Sequence, residues 1–282
     1  MAKSRNPYHN DKGIPQLKAS VFAFIDILGY ASLTKKSQQD NTQAKLLREL
    51  YQALSEGRGW LEEKKLPGAK KLGDRDFYVL KAFSDNIVIA WPIRDDAELE
   101  LGLVLSKITD FQFTMACAGF FIRGSISVGQ ACVDDILVFG DALTQAYVGE
   151  SQLARDPRIV LVESAVMAVK QHLTYYGNGE HSPQNRALLC DSDGQWFVNY
   201  LDCILYLEEE VGPDFDALLS HKAAVEEKLK QYRDDPPIFS KYAWVAGYHN
   251  FFCDKHSRHF SDQHKIQTEL FKAPPRSIVA EG

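Results

Sequence analysis

The chain has 282 residues, 45% of them hydrophobic and 25% charged, which suits a globular core with an appended part and excludes a largely disordered chain. A net charge of −6 excludes a general nucleic-acid binder, whose surface would be basic, but leaves room for a nucleotide held through metal ions. Five cysteines without a Cys-x-x-Cys pair, an N-terminus without an apolar signal core, and no apolar run near the ~18 residues that span a bilayer predict a reduced, cytoplasmic protein without direct membrane insertion.

Residues 1–17 are polar and read as an arm. Ala19 to Leu28 is an apolar, β-rich run that predicts a buried central strand ending at Gly29. Ser37 to Glu63 carries Leu46, Leu47, Leu50 and Leu54 on one helical stripe. Lys64 to Arg75 is a charged loop whose Lys64, Lys65, Lys70 and Lys71 could steer an anion or simply be solvated. Phe77 to Lys81 and Ile87 to Trp91 predict a hairpin around Phe83-Ser84-Asp85-Asn86. Asp95 to Cys117 has apolar residues at three- and four-residue steps and predicts the strongest helix. In Phe120 to Gly129, Ile122, Gly124, Ile126 and Val128 alternate with Arg123, Ser125 and Ser127, the pattern of a strand. Cys132 to Phe139 reads as a further strand, Gly140 to Arg155 as a helix and Ile159 to Val162 as a strand.

The order β-α-β-β-α-β-β-α-β predicts an α+β fold with a ferredoxin-like or palm-type core (βαββαβ plus extra strands). Residues 18–165 form that core in this reading. Residues 166–262 form a packed appendage with a hairpin at Cys190 to Tyr200 and helices near Asp214 to Arg233 and Ile238 to Asp254. Residues 263–282 are a polar tail.

Asp26 interrupts an apolar strand, where a lone carboxylate costs several kcal/mol unless it is paired. Asp85 sits at a hairpin that a palm-type sheet lays beside the first strand, so the two carboxylates converge at the sheet edge. Carboxylates with phosphate oxygens are the ligand set of Mg²⁺. The bland alternatives are an internally hydrogen-bonded Asp26 and an Asp85 that only shapes a turn. His249, Cys253, His256, His259 and His264 lack the paired spacing of a zinc site. No Walker loop and no Gly-x-Ser-x-Gly elbow occurs.

Phe24-Ile-Asp-Ile-Leu-Gly-Tyr30 resembles the first metal motif of class III nucleotidyl cyclases, and Lys81-Ala-Phe-Ser-Asp-Asn86 resembles their second. Ile122-Arg-Gly-Ser-Ile-Ser-Val-Gly129 resembles their Arg-x-Gly-Ile-x-x-Gly strand, and Phe139-Gly-Asp-Ala-Leu-Thr-Gln-Ala146 their following helix start. The four fall in family order over about half the chain. Within the superfamily the variants look most like the Pycsar pyrimidine cyclases, anti-phage enzymes that make cyclic UMP or cyclic CMP.

The resemblance implies that Asp26, Asp85 and the backbone carbonyl of Ile27 bind two Mg²⁺ or Mn²⁺ ions. It implies that Lys81 reads the base of a nucleoside triphosphate, with Tyr30, Leu137 and Thr144 at substrate-facing positions. It implies a homodimer with sites shared between protomers, and a separate cyclic-nucleotide-gated effector as an indirect partner. The sequence departs from the family where a base-reading polar residue becomes Leu137, the transition-state Asn becomes Thr144, and the transition-state Arg becomes Val148. Arg123 is the first substitute cation and Arg48 the second; a structural salt bridge is the alternative for Arg123. UTP is favoured over CTP. A divergent adenylate cyclase and a non-catalytic cyclase-like nucleotide-binding or dimerisation module remain the competing functions.

Overall fold

The computed structural model describes residues 6–62, 78–83 and 85–272. Phe77, the Lys64–Arg75 loop with its lysines, Ser84 and residues 273–282 lie outside the described residues. The chain divides into two compact units, Met1–Cys203 and Ile204–Gly282.

In the first unit the apolar run folds as β1 (Lys18–Ile27), flanked on both sides by other strands. Its alternation sends Val21, Ala23, Ile25 and Ile27 into one core cluster, and Phe22 and Phe24 into another on the opposite face. The helical stripe expected over 37–63 becomes two helices, α1 (Tyr30–Gln39) and α2 (Gln43–Glu62). They part at Asn41, whose φ of 54° is a left-handed conformation that asparagine tolerates. The hairpin is β2 (Val79–Phe83) and β3 (Asn86–Pro92), followed by α3 (Glu98–Cys117).

The next strand, β4 (Ile122–Val133), is longer than its sequence pattern suggests. Gly129 reads as a stop, yet the strand runs through it. A Cβ there would meet Asp141 Oδ2 at 2.7 Å, so glycine allows the next helix to start against the strand. The expected strand over 132–139 is therefore the end of β4, a turn at residues 134–137, and the short β5 (Val138–Phe139). After these come α4 (Asp141–Gln152), β6 (Ile159–Leu161), α5 (Glu163–Leu173), α6 (Pro183–Ala187), β7 (Leu188–Cys190) and β8 (Trp196–Val198).

The fold is mixed α+β. Among the described residues the sheet runs β2-β3-β1-β4-β6-β8-β7, with β5 paired to β4. Neighbours are antiparallel except β4 and β6. The portion β4-β1-β3-β2, with helices after β1 and β3, has the ferredoxin-like arrangement. Residues 166–203, expected with the appendage, lie instead with the core unit, because β7 and β8 extend its sheet. Their hairpin is tied down by Arg158, which is fully buried, ion-paired with Asp191 and Asp193, and 5.7 Å from the centroid of the Phe197 ring.

One face of the sheet is covered by α2, α3 and α5, whose Leu50, Ala53, Leu101, Val104, Leu105, Ile108, Phe111, Met115, Ala165 and Val169 fill the larger cluster. Each large apolar side chain buried there contributes about 2 kcal/mol relative to exposure. The other face is covered by α4 and the N-terminal segment. Tyr8 is fully buried there and its hydroxyl meets Ser20 Oγ at 2.9 Å, so the arm is packed against the sheet around Tyr8, while residues 11–17 are exposed. Helix α4 sits close to β4: Ser125 Oγ donates to the Ala146 carbonyl at 2.5 Å and Ser127 Oγ to the Ala142 carbonyl at 2.7 Å. Gly149 permits the approach, because a Cβ there would stand 2.3 Å from Val162 Cγ1 and 2.7 Å from Ser125 Oγ.

The second unit holds α7 (Glu208–Val211), α8 (Phe215–Gln231) and α9 (Pro236–Lys255). Asp214 and Asp235 cap the two long helices, accepting from Ala217 N–H and Ile238 N–H. The His221 and His249 rings stack at 5.2 Å with Nδ1 atoms 3.0 Å apart. Residues expected in the tail are partly fixed: Asn250 exchanges two 2.8 Å hydrogen bonds with the backbone of Ile266. No helix among the described residues is long and apolar enough to cross a membrane.

Candidate active site

Asp26 is the penultimate residue of β1, where the strand is paired on both sides, opposite Asn86 of β3 and Arg123 of β4. Asp85 immediately precedes β3, and its carbonyl accepts from Ile27 N–H at 3.1 Å. This backbone link holds the hairpin against the end of β1. The Asp85 carboxylate is close enough to Asp26 for its charge to act on it. Asn86 Nδ2 donates to Asp85 Oδ1 at 3.2 Å. The two aspartates sit at the end of the central strands rather than at a lateral edge of the sheet.

Burial pushes the Asp26 carboxyl above its ordinary range. The Arg123 guanidinium opposes this and the neighbouring Asp85 charge adds to it. Arg123 Nε donates to Asp26 Oδ2 at 3.2 Å. Its Nη2 stands 2.8 Å from Glu150 Oε1 on α4, whose side chain is 6% exposed. Arg123 is thus both beside the aspartates and a member of an ion-pair network.

Sequence reasoning missed Glu150. The signal was present in the spacing Ala142, Ala146, Glu150, which sets a carboxylate on the stripe facing the sheet. Arg48 instead donates from Nε to the Ala44 carbonyl one turn back, at 3.1 Å, on an exposed part of α2.

Lys81 lies on β2, opposite Val88, and its Nζ meets Asp135 Oδ1 at 2.5 Å. Leu137 is in the same turn as Asp135, which is held by Asp134: its Oδ1 accepts from the N–H groups of Ile136 and Leu137 at 2.7 and 2.9 Å. His9 Nε2 donates to the other oxygen of Asp134 at 3.2 Å. The acidic neighbour of Lys81 is therefore Asp135, which the sequence pattern shows only as an interruption, with Asp134, of the strand expected over 132–139.

Thr144 is exposed near the start of α4 and lines a surface hollow of about 360 Å³ with Leu17, Gln130, Phe139 and Leu143. Gln130 pairs with Ala19, so this hollow is at the other end of β1 and β4 from Asp26 and Arg123. Val148 is exposed on α4, and Tyr30, the first residue of α1, packs against the larger core cluster. Within one chain, Asp26, Asp85 and Arg123 come together, while Thr144 does not join them.

Neighbouring carboxylates repel one another, which adds a little to the burial that chiefly raises Asp26, and a divalent cation between them would offset both. The donors are hard oxygens, suited to Mg²⁺ or Mn²⁺. Among the described residues no group of three or more His, Cys, Asp or Glu side chains could hold a metal ion. Any ion at Asp26 and Asp85 would complete its shell from backbone carbonyls, water or substrate oxygens, as Mg²⁺ commonly does. His249 of the C-terminal histidine cluster is fully buried and engaged with His221 and the His264 carbonyl.

No protein-family model matches the chain, and no curated protein matches it. Among solved structures, the crystal structure of the guanylyl cyclase Cya2 aligns over 54% of this chain and 79% of its own, with a TM-score of 0.39 and 11% identity. So loose a likeness does not place this chain in a family.

Proposed function

We propose that this chain is a nucleotidyl cyclase of the class III type, converting a nucleoside triphosphate to its 3′,5′-cyclic monophosphate and pyrophosphate. The supporting observation is the meeting of Asp26 and Asp85 at the ends of neighbouring strands, with Arg123 alongside. Asp26, Asp85 and the Ile27 carbonyl are the residues that would hold two Mg²⁺ or Mn²⁺ ions. When bound, such ions supply positive charge that acidifies a hydroxyl and neutralises phosphate oxygens.

The ribose 3′-hydroxyl gives its proton to water, and its oxygen bonds to the α-phosphorus as the α–β bridging P–O bond breaks and pyrophosphate leaves with that bond's electron pair. No covalent enzyme intermediate forms, so the protein's part is positioning and electrostatics. Arg123 presents N–H donors where phosphate charge develops, in place of the arginine that the sequence lacks at Val148. Lys81 donates to an acceptor on the base, and Asp135 beside it adds an acceptor. Tyr30, Leu137 and Thr144 are proposed substrate-facing positions.

A homodimer fits the separation between Asp26 and Thr144 along the same strands, because a second copy would bring the two ends together. Ile136, Phe139, Tyr147 and Val148 are exposed apolar side chains on the β5 and α4 side, suited to such a contact. UTP is the favoured substrate and CTP the next, since the loss of purine-type contacts at Leu137 and Thr144 suits a smaller base. The product is then a cyclic pyrimidine messenger in anti-phage defence, read by a cyclic-nucleotide-gated effector.

A divergent adenylate cyclase is the second reading. It draws on the Lys81–Asp135 pair, whose donor and acceptor match adenine N1 and N6 as well as uracil O4 and N3.

The test is incubation with each of the four triphosphates and Mg²⁺ or Mn²⁺, with the cyclic product identified by mass. Cyclic UMP or cyclic CMP is expected, and Asp26→Asn and Asp85→Asn should each abolish it. Cyclic AMP alone moves the assignment to the second reading. Triphosphate binding without pyrophosphate release makes the chain a binding module.

A further inference from the structure

Glu150 is a buried charge that the proposed chemistry leaves unused. It continues the Ala142–Ala146 stripe of α4 toward the sheet, and it is 5% exposed. A carboxylate in such surroundings costs several kcal/mol unless it is paired. Its placement is fixed by the backbone: Gly149 lets α4 close on Ser125 and Val162, and Ser125 Oγ holds the Ala146 carbonyl one turn earlier. The backbone that carries Glu150 is thus held against the strand that carries Arg123.

The guanidinium of Arg123 is planar. Its Nε–H and Nη2–H lie on one edge, the edge that grips a single carboxylate through two parallel bonds. Here the two nitrogens of that edge face different carboxylates: Nε donates to Asp26 Oδ2 at 3.2 Å, while Nη2 forms an ion pair with Glu150 Oε1 at 2.8 Å without hydrogen-bond alignment. If the negative charge of Glu150 were absent, the whole edge could turn onto Asp26 and take both of its oxygens. Those oxygens are the ones a divalent cation would use.

We propose that Glu150 is a positioning residue for the metal site: by holding Nη2 of Arg123 it keeps the guanidinium from closing on both oxygens of Asp26, and so leaves Asp26 open to a divalent cation. This rests on the reading of Asp26 and Asp85 as metal ligands. It makes metal affinity depend on a side chain that touches no metal, with Arg123 as the intermediary.

The experiment is Mn²⁺ binding to the full chain without nucleotide, followed by loss of the free-ion electron paramagnetic resonance signal. Glu150→Gln keeps the side-chain shape and removes the charge. Its Mn²⁺ Kd is expected to rise about tenfold, the equivalent of about 1.4 kcal/mol. In an Arg123→Met background the same Glu150→Gln change should shift Kd by less than about twofold, because the competing edge is gone. An unchanged Kd for Glu150→Gln overturns the proposal. So does equal loosening in both backgrounds, since Glu150 would then act through net charge or through the fold. A wild type that binds Mn²⁺ no better than Asp26→Asn overturns the metal reading itself, whereas Mn²⁺ binding that needs Asp26 but ignores Glu150 removes only the role of Glu150.

Discussion

Mild acid should loosen the α8–α9 pair through His249. Its Nε2–H donates to the His264 carbonyl at 2.9 Å, which leaves Nδ1 as an acceptor for His221 Nδ1–H at 3.0 Å. Both rings are then neutral, and a proton added at His249 Nδ1 would set two N–H groups against each other. Burial, chiefly, lowers the His249 pKa from 6.5 to about 4, with Lys222 and His264 adding repulsion against the backbone contact that raises it. Burial also lowers His221 well below its usual value.

A folded pKa below the unfolded one means that the unfolded segment binds more protons, so stability is whole above about pH 6.5 and falls toward pH 4. From pH 7 to pH 4.5, His249 alone removes between about 2 and 3 kcal/mol, a roughly sixtyfold rise in local opening. Hydrogen exchange by mass spectrometry, corrected for intrinsic pH dependence, reads this in peptides from α8 and α9. His249→Gln should start less protected and lose little further protection over the same range. Equal protection at both pH values, or an equal loss in His249→Gln, would refute the linkage.

Gly149→Ala should lower thermal stability by about 1–3 kcal/mol, since its Cβ meets Val162 and Ser125 and α4 must lift; an unshifted melting temperature would contradict the close approach. Arg158→Met should cost about 1–3 kcal/mol, because Asp191 and Asp193 lose their cation but stay partly exposed to water; urea unfolding of the full chain measures it, and an unchanged stability would count against the anchoring role. Asp26 titrates above its ordinary range, so the fold favours its protonated form and stability attributable to it falls as pH rises through that raised pKa. Asp26→Asn should accordingly raise the metal-free melting temperature at pH 7, and a lower one would mean that the Arg123 contact outweighs burial.

Much of the architecture was readable because each major element carries its own period. The alternation over Phe120–Gly129 and the stripe of α3 specify a strand and a helix without outside help. Misreadings occurred where a residue's local meaning is overruled by a neighbour distant in sequence. Gly129 looks like a terminator, but in space it is where α4 begins. The short β7 and β8 show little periodicity of their own, and only pairing with β6 draws them into the sheet.

The site divides in the same way. Asp26 and Asp85 stand out because a carboxylate in or beside an apolar strand demands an explanation. Glu150 and Asp135 do not, because one lies in an ordinary-looking helix and the other in a polar turn; their partners, Arg123 and Lys81, become visible only in three dimensions.

The double pairing of Asp26, to Asn86 on one side and Arg123 on the other, also guards against misalignment during folding. If β1 slipped by a single position, the aspartate would turn to the apolar face that now holds Ile25 and Ile27 while isoleucines turned toward the guanidinium. Such a mispaired chain would bear a stranded charge on each side of the sheet, so the acidic residue assigned to chemistry doubles as a check on which alignment survives.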